Sequence, residues 1–158
     1  MKILISWFAF LFLLPLNSDI SARDVPKPNQ NIVDVTQLLR SDKVRQLEII
    51  YFPEEVATRT RLTSEMLEKQ WRYKVVINEL QSAPFKKRIL AAAEASTFKR
   101  TDVRSDLRLG CFFYDEQGNR LLSFFSDATG KVGVLNDELV VSNGRLAKVL
   151  KGVFAEFH

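Results

Sequence analysis

The stretch between Leu107 and Phe154 constrains the fold more than any other part of the chain. Apolar runs of strand type alternate there with short turn sequences, and a helical stripe closes the series. Residues 107–114 predict a strand, Asp115-Glu116-Gln117-Gly118-Asn119 a hairpin loop, and residues 120–126 the returning strand. Asp127-Ala128-Thr129-Gly130 predicts a second tight turn and 131–135 a third strand. Asn136-Asp137 turns again, before a fourth strand over 138–141. Asp, Asn and Gly suit such turns because they offer local acceptors or tolerate a left-handed backbone. Leu146, Val149, Leu150, Val153 and Phe154 then recur at the spacing of one helix face, with Arg145, Lys148 and Lys151 on the outer side and Ser142 or Asn143 as cap. Strands joined by links this short pair antiparallel.

These strands are apolar on both sides. Leu109, Cys111 and Phe113 point one way, Phe112 and Tyr114 the other. Both faces of the sheet are therefore expected to be at least partly covered, the second by helices or by a partner. Upstream, Asp34 is placed to cap a short helix carrying Val35, Leu38 and Leu39, and residues 44–52 alternate as a strand that Pro53 stops. Thr63 or Ser64 opens a helix holding Met66, Leu67 and Trp71, and a strand follows over 73–77. Ser82 with Pro84 opens a further helix running to about Ser96, with Phe85, Ile89, Leu90 and Ala93 on one side. The expected fold is α+β: an antiparallel β-meander of about five to six strands covered by two or three helices, in a single domain over residues 32–158.

Residues 1–22 read as a signal peptide rather than as part of that domain. Lys2 precedes an apolar run from Ile3 to Leu16, and the small residues Ser21 and Ala22 follow. The run falls short of the roughly 20 residues that span a bilayer, so no stable membrane anchor is expected after cleavage. Residues 23–31, with Pro26 and Pro28, read as an extended linker. The expected location is the periplasm or the extracellular medium.

Composition removes much chemistry. The chain has one Cys and one His, and the His is the last residue, His158. An intramolecular disulfide, a CxxC pair and a cysteine-rich zinc site are excluded, and a His-dependent base or triad is not expected. The adjacent acids Glu54-Glu55, Asp115-Glu116 and Asp137-Glu138 fall in predicted turns, where solvation explains them better than glycosidase chemistry does. Gly130-Lys131 lacks the strand–loop–helix context and the hydroxyl residue of a phosphate loop. Cys111, mid-strand between Leu109 and Phe113, reads as a small buried hydrophobe. No catalytic residue, metal or cofactor is assigned.

Charge and aromatics remain. The formal net charge is +4, with Lys86-Lys87-Arg88, Lys99-Arg100, Arg104 and Arg108 as candidates for one basic stripe. The cations at 86–88 sit at a helix start, where the macrodipole disfavours them, which points to a role other than helix stability. Nucleic acid is not the expected partner of an exported chain. Trp71, Tyr73 and Tyr114 read as core first and as groove or interface second.

The general layout, a small exported α+β domain without catalytic residues, resembles the immunity proteins that protect bacteria from secreted toxins. That resemblance, of layout and not of motif, implies a non-enzymatic protein that binds and inhibits another envelope or secreted protein by occlusion. The contacts expected for it are Arg108, Tyr114, Arg120 and Lys131 on the meander and Lys87 and Arg88 on the helix. The alternative is a small ligand-binding module for a lipid, a peptide or a cell-wall fragment, lined by second-face aromatics such as Tyr114 and Phe124. A hydrolase using carboxylates alone is a weaker third reading.

Overall fold

The computed structural model describes residues 30–158. The signal-peptide reading lies outside the described residues, as does the linker apart from Gln30 and Asn31, which are helical. The elements are α1 (Gln30–Arg40), β1 (Gln46–Tyr51), α2 (Ser64–Gln70), β2 (Tyr73–Ile77), a single 3-10 turn (Leu80–Ser82), α3 (Lys86–Glu94), β3 (Phe98–Arg100), β4 (Leu107–Tyr114), β5 (Arg120–Asp127), β6 (Val132–Leu135), β7 (Glu138–Ser142) and α4 (Arg145–Ala155). The strands form one seven-stranded sheet in the order β2-β1-β4-β5-β6-β7-β3, and every pairing is antiparallel.

The meander over β4–β7 lies where the turn chemistry puts it. Asp115 Oδ1 accepts from the amides of Gln117 and Asn119, and Gly118 takes a φ of 82°. These bonds, with the side-chain amide of Asn119 first among them, hold the Asp115 carboxyl below the ordinary carboxylate range. Asn136 and Asp137 both have positive φ, the signature of a two-residue I′ hairpin, and the Asn136 side chain also accepts from the Ser123 amide.

The sheet is wider than the meander alone suggested. β3 is only three residues long and carries no alternation of its own, yet it joins the far edge by pairing with β7. Asp34 does not cap a helix, because α1 begins before it at Gln30. The helix expected from Ser82 starts later, at Lys86, after a 3-10 turn in which the Ser82 hydroxyl donates back to the Glu79 carbonyl. Thr63 does cap α2, accepting from the Met66 amide at 3.3 Å.

Two unequal layers cover the sheet. On one face α1, α3 and α4 bury the main core: Leu39, Ile89, Leu150 and Val153 pack on Leu47, Ile49, Leu109, Cys111, Phe113, Leu122 and Phe124. On the other, α2 and the preceding loop cover a smaller cluster of Ile50, Phe52, Leu62, Leu67, Phe112, Phe125 and Val134. Gly110 makes the second layer possible. A Cβ there would meet Ile50 Cγ1 at 2.8 Å and the Phe125 ring at 3.0 Å, so the absent side chain lets those groups close over β4.

The helical layer is tied together by polar bonds between elements remote in sequence. Lys86 pairs with Asp42 at 2.6 Å, Arg88 with Glu156 at 2.5 Å, and Arg40 with Glu94 at 2.7 Å. Lys86 in turn holds the Asp42 carboxyl below its ordinary range. The cations at the start of α3 are thus accounted for by carboxylates on neighbouring elements, Lys87 excepted, and they give no sign of an anionic partner. Ser96, buried between α3 and α4, donates its hydroxyl to the Ala92 carbonyl at 2.7 Å and accepts from the Leu146 amide at 3.1 Å. It is a cap for α4 supplied by a residue fifty positions away. Gly144 occupies the N-cap position itself and makes no side-chain bond.

Ser96→Ala leaves the Leu146 amide buried without its acceptor. We expect a loss of about 1–2 kcal/mol of folding free energy, read from urea denaturation. An unchanged midpoint would mean that α4 needs no cap from α3.

Candidate functional site

The second face of the sheet is held closed at one end by a single guanidinium. β4 pairs Leu107 with Asp127 and Leu109 with Ser126, so Arg108 is the extra residue of a bulge. The bulge explains why Leu107 belongs to the smaller core and Leu109 to the larger one, although the two are two positions apart. It also turns Arg108 beneath the loop that leaves β1. Arg108 Nη1 donates to the carbonyls of Pro53 at 2.9 Å and Val56 at 3.0 Å, Nε donates to Asp106 Oδ2 at 2.9 Å, and Nη2 bonds the same oxygen. The guanidinium also lies over the Phe52 ring, 5.4 Å from its centroid. The other Asp106 oxygen accepts from the Leu62 amide at 2.7 Å, and the Leu107 amide donates to the Leu62 carbonyl. Both ends of the loop 53–62 are therefore fastened to the start of β4.

That loop forms one wall of a groove. Leu62, Leu107, Val132, Val134 and Leu139 make an apolar floor, and Arg61, Arg104, Ser105 and Asp137 stand at the rim, around a volume of about 250 Å³. Arg61 Nη1 donates to the Arg104 carbonyl at 3.0 Å and ties the two rim loops together. Neither Arg61 nor Arg104 has a carboxylate partner among the described residues.

At the far end of the same face stands a second polar group. Tyr114 and Arg120 are cross-strand partners, and Arg120 lies over the Phe112 ring at 4.2 Å. Its guanidinium forks onto Glu68 of α2, with both bonds at 3.1 Å. Burial works against the cation here, but Glu68 and Tyr114 outweigh it, and the Arg120 pKa is raised.

The residues expected to form a contact surface do not form one. Tyr114 and Arg120 come together on the second face. Lys87 and Arg88 lie on α3, which covers the opposite face. Lys131 is exposed just past the β5–β6 turn, where its amide donates to Asp127. Arg108 is not on the surface: it is 8% exposed, and its donors are taken by the protein itself. The basic stripe is likewise dispersed, since Arg100 pairs with Glu138 and Arg108 with Asp106. Phe124 points into the helical core and lines no second-face surface. Trp71, just before the edge strand β2, and Tyr73, its first residue, both read first as core, are 40% and 39% exposed.

Arg104 is legible in the sequence as part of a basic stripe and Asp137 as part of an acidic pair, but nothing local marks these residues as the rim of a groove. Arg61 sits in a polar loop, and Val132, Val134 and Leu139 read only as strand core. Val134 and Leu139 meet as cross-strand partners, and the Arg108 bulge turns Leu107 onto their face; a bulge has no reliable signature in a single sequence.

The acidic pairs stay apart. Glu54 bonds Lys151 at 2.5 Å, Asp115 serves its own hairpin, and Glu138 pairs with Arg100. No group of three or more His, Cys, Asp or Glu able to hold a metal occurs among the described residues. No described helix is long and apolar enough to cross a membrane. Cys111 is 0% exposed, and burial pushes its thiol pKa far up.

Two outcomes test this picture. Arg108→Ala strips the loop carbonyls and Asp106 of their donor, and we expect a loss of about 3 kcal/mol by chemical denaturation; an effect below about 0.5 kcal/mol would remove the clamp from the argument. Cys111 should resist a thiol-specific reagent in the folded protein and react stoichiometrically in urea. Reaction at equal rates in both states would contradict its burial. No family model matches the chain, and no match was found among curated proteins or solved structures.

Proposed function

We propose that this chain is an exported, non-enzymatic protein that binds another envelope or secreted protein and inhibits it by covering its surface, as immunity proteins do. The observation that best supports this reading is the pairing of shape and charge on the second face. An apolar floor is flanked by Arg61 and Arg104, which have no carboxylate partner among the described residues. Guanidinium groups fork onto carboxylates with defined geometry, and a desolvated Arg beside an apolar anchor pocket is a common hot-spot arrangement. The complementary partner surface is acidic, with an apolar side chain that enters the groove. The net charge of +4 steers such a partner in. Tyr114 and Arg120 extend the same face and are the members of the sequence-expected contact set that this reading keeps.

The alternative, a small ligand in the groove, draws support from the same apolar floor. The volume of about 250 Å³ lies just below the roughly 300–1,000 Å³ of pockets that enclose drug-sized molecules. It suits one inserted side chain or a short ligand.

The test is affinity capture by the tagged full chain in its own cell, comparing the natural sequence with the double variant Arg61→Glu/Arg104→Glu. A stoichiometric protein partner, held at least tenfold more weakly by the charge-reversed variant (about 1.4 kcal/mol), is the expected result. A partner retained equally by both would move the interface off this face. A small molecule co-purifying in place of any protein would hand the groove to the alternative. Circular dichroism of the variant guards against simple unfolding.

A further inference from the structure

A second cavity lies on the opposite face of the sheet, under the first turns of α4, and plays no part in the reading above. Its volume is about 250 Å³, and small residues line it: Ser126 on β5, Gly130 in the β5–β6 turn and Ala147 on α4. The turn and the helix are pressed together at its edge, since a Cβ on Gly130 would stand 2.7 Å from the Ala147 Cβ. Leu109 supplies an apolar wall, and Lys148 and Lys151, one helical turn apart, stand around the opening.

Ser126 is the anomaly. It is 1% exposed, and its Oγ is buried without a hydrogen-bond partner, alone in this among the described side chains. A buried hydroxyl left unsatisfied costs about 1–3 kcal/mol, and Ala or Val would fill the position without that cost. The lysines point the same way. Lys151 is paired with Glu54 at 2.5 Å, which holds its ammonium in place at the opening. Lys148 is exposed and has no carboxylate partner among the described residues. A lone water can satisfy a serine hydroxyl, but it occupies only about 30 Å³, and cations at the opening do nothing for it.

We propose that this cavity binds a small organic anion, with its carboxylate or phosphate oxygens held by Lys148 and Lys151 and a polar atom of its body accepting a hydrogen bond from the Ser126 hydroxyl. Leu109 and Ala147 then contact the apolar part of the same molecule. The site lies across the sheet from the second-face groove, although the Lys151–Glu54 pair links it to the loop 53–62.

Amide NMR titration of the full chain tests the proposal, with citrate and inorganic phosphate as separate probes. Saturable shifts centred on Ser126, Gly130 and Ala147 are expected with at least one of them. Lys148→Gln should weaken that binding about tenfold and Ser126→Ala about fivefold, while Lys87→Gln, on a different helix, leaves it unchanged. Ser126→Ala should fold with undiminished stability, because the hydroxyl has no protein partner to lose. The absence of saturable shifts with both probes would overturn the proposal. So would shifts that Lys87→Gln weakens as much as Lys148→Gln does, which report general charge screening. A competition in which citrate displaces phosphate, or the reverse, identifies the carboxylate or the phosphate as the better-held group.

Discussion

The bonds that Arg108 makes are the constraint on which the second face of this protein depends. A guanidinium at a β-bulge is an expensive residue to bury, and it is retained only where each donor finds an acceptor in good geometry. Here the Pro53 and Val56 carbonyls and the Asp106 carboxylate supply those acceptors. Asp106 in turn receives the Leu62 amide. This pair thereby sets the path of the loop 53–62 and the wall of the groove. Remove the pair and the loop 53–62 loses its fastening to the start of β4, while α2 keeps the Arg120–Glu68 fork.

The two faces solve the same problem with different means. The helical face buries an extended apolar surface under three helices, and its polar bonds, Ser96 to Leu146 and Arg40 to Glu94 among them, fix how those helices sit on one another. The second face has only the short helix α2 and irregular chain, so its order rests on directional bonds more than on area. Such a layer can leave apolar side chains partly uncovered without threatening the fold, because the main core is elsewhere. Cys111 at the middle of the sheet belongs to that core and adds no covalent link; the domain is held by packing.

Much of the architecture was legible from residue order. The meander, its turns, the amphipathic α4 and the division of β4 into two apolar faces follow from period-two alternation punctuated by Asp, Asn and Gly. β3 escaped notice because three residues cannot display a period, and it becomes a strand only by pairing with β7. The site was far less legible. Lys86 and Arg88 read as a free basic cluster because their partners, Asp42 and Glu156, are distant in the chain. Arg108 read as a surface cation because alternation says which way a residue points, not what loop lies over it. A charge is identified by its residue type, but whether it is available to a partner is decided by tertiary contacts.

The same distinction separates the two places where something remains to be bound. On the second face the free groups are the cations Arg61 and Arg104 and the Asp137 carboxylate around an apolar floor, all open to solvent, and they cost the folded chain almost nothing while they wait. Under α4 the case rests on a buried hydroxyl, which does carry a cost, and on the cavity beside it. Exposed cations alone are compatible with a merely soluble surface. An unsatisfied hydroxyl in a cavity is harder to reconcile with packing alone, because substitution by Ala or Val would remove the penalty or fill the space. The stronger physical argument for a small molecule therefore lies with Ser126, and the stronger argument for a protein partner with Arg61 and Arg104. The sheet between them allows the two to be examined separately in one chain.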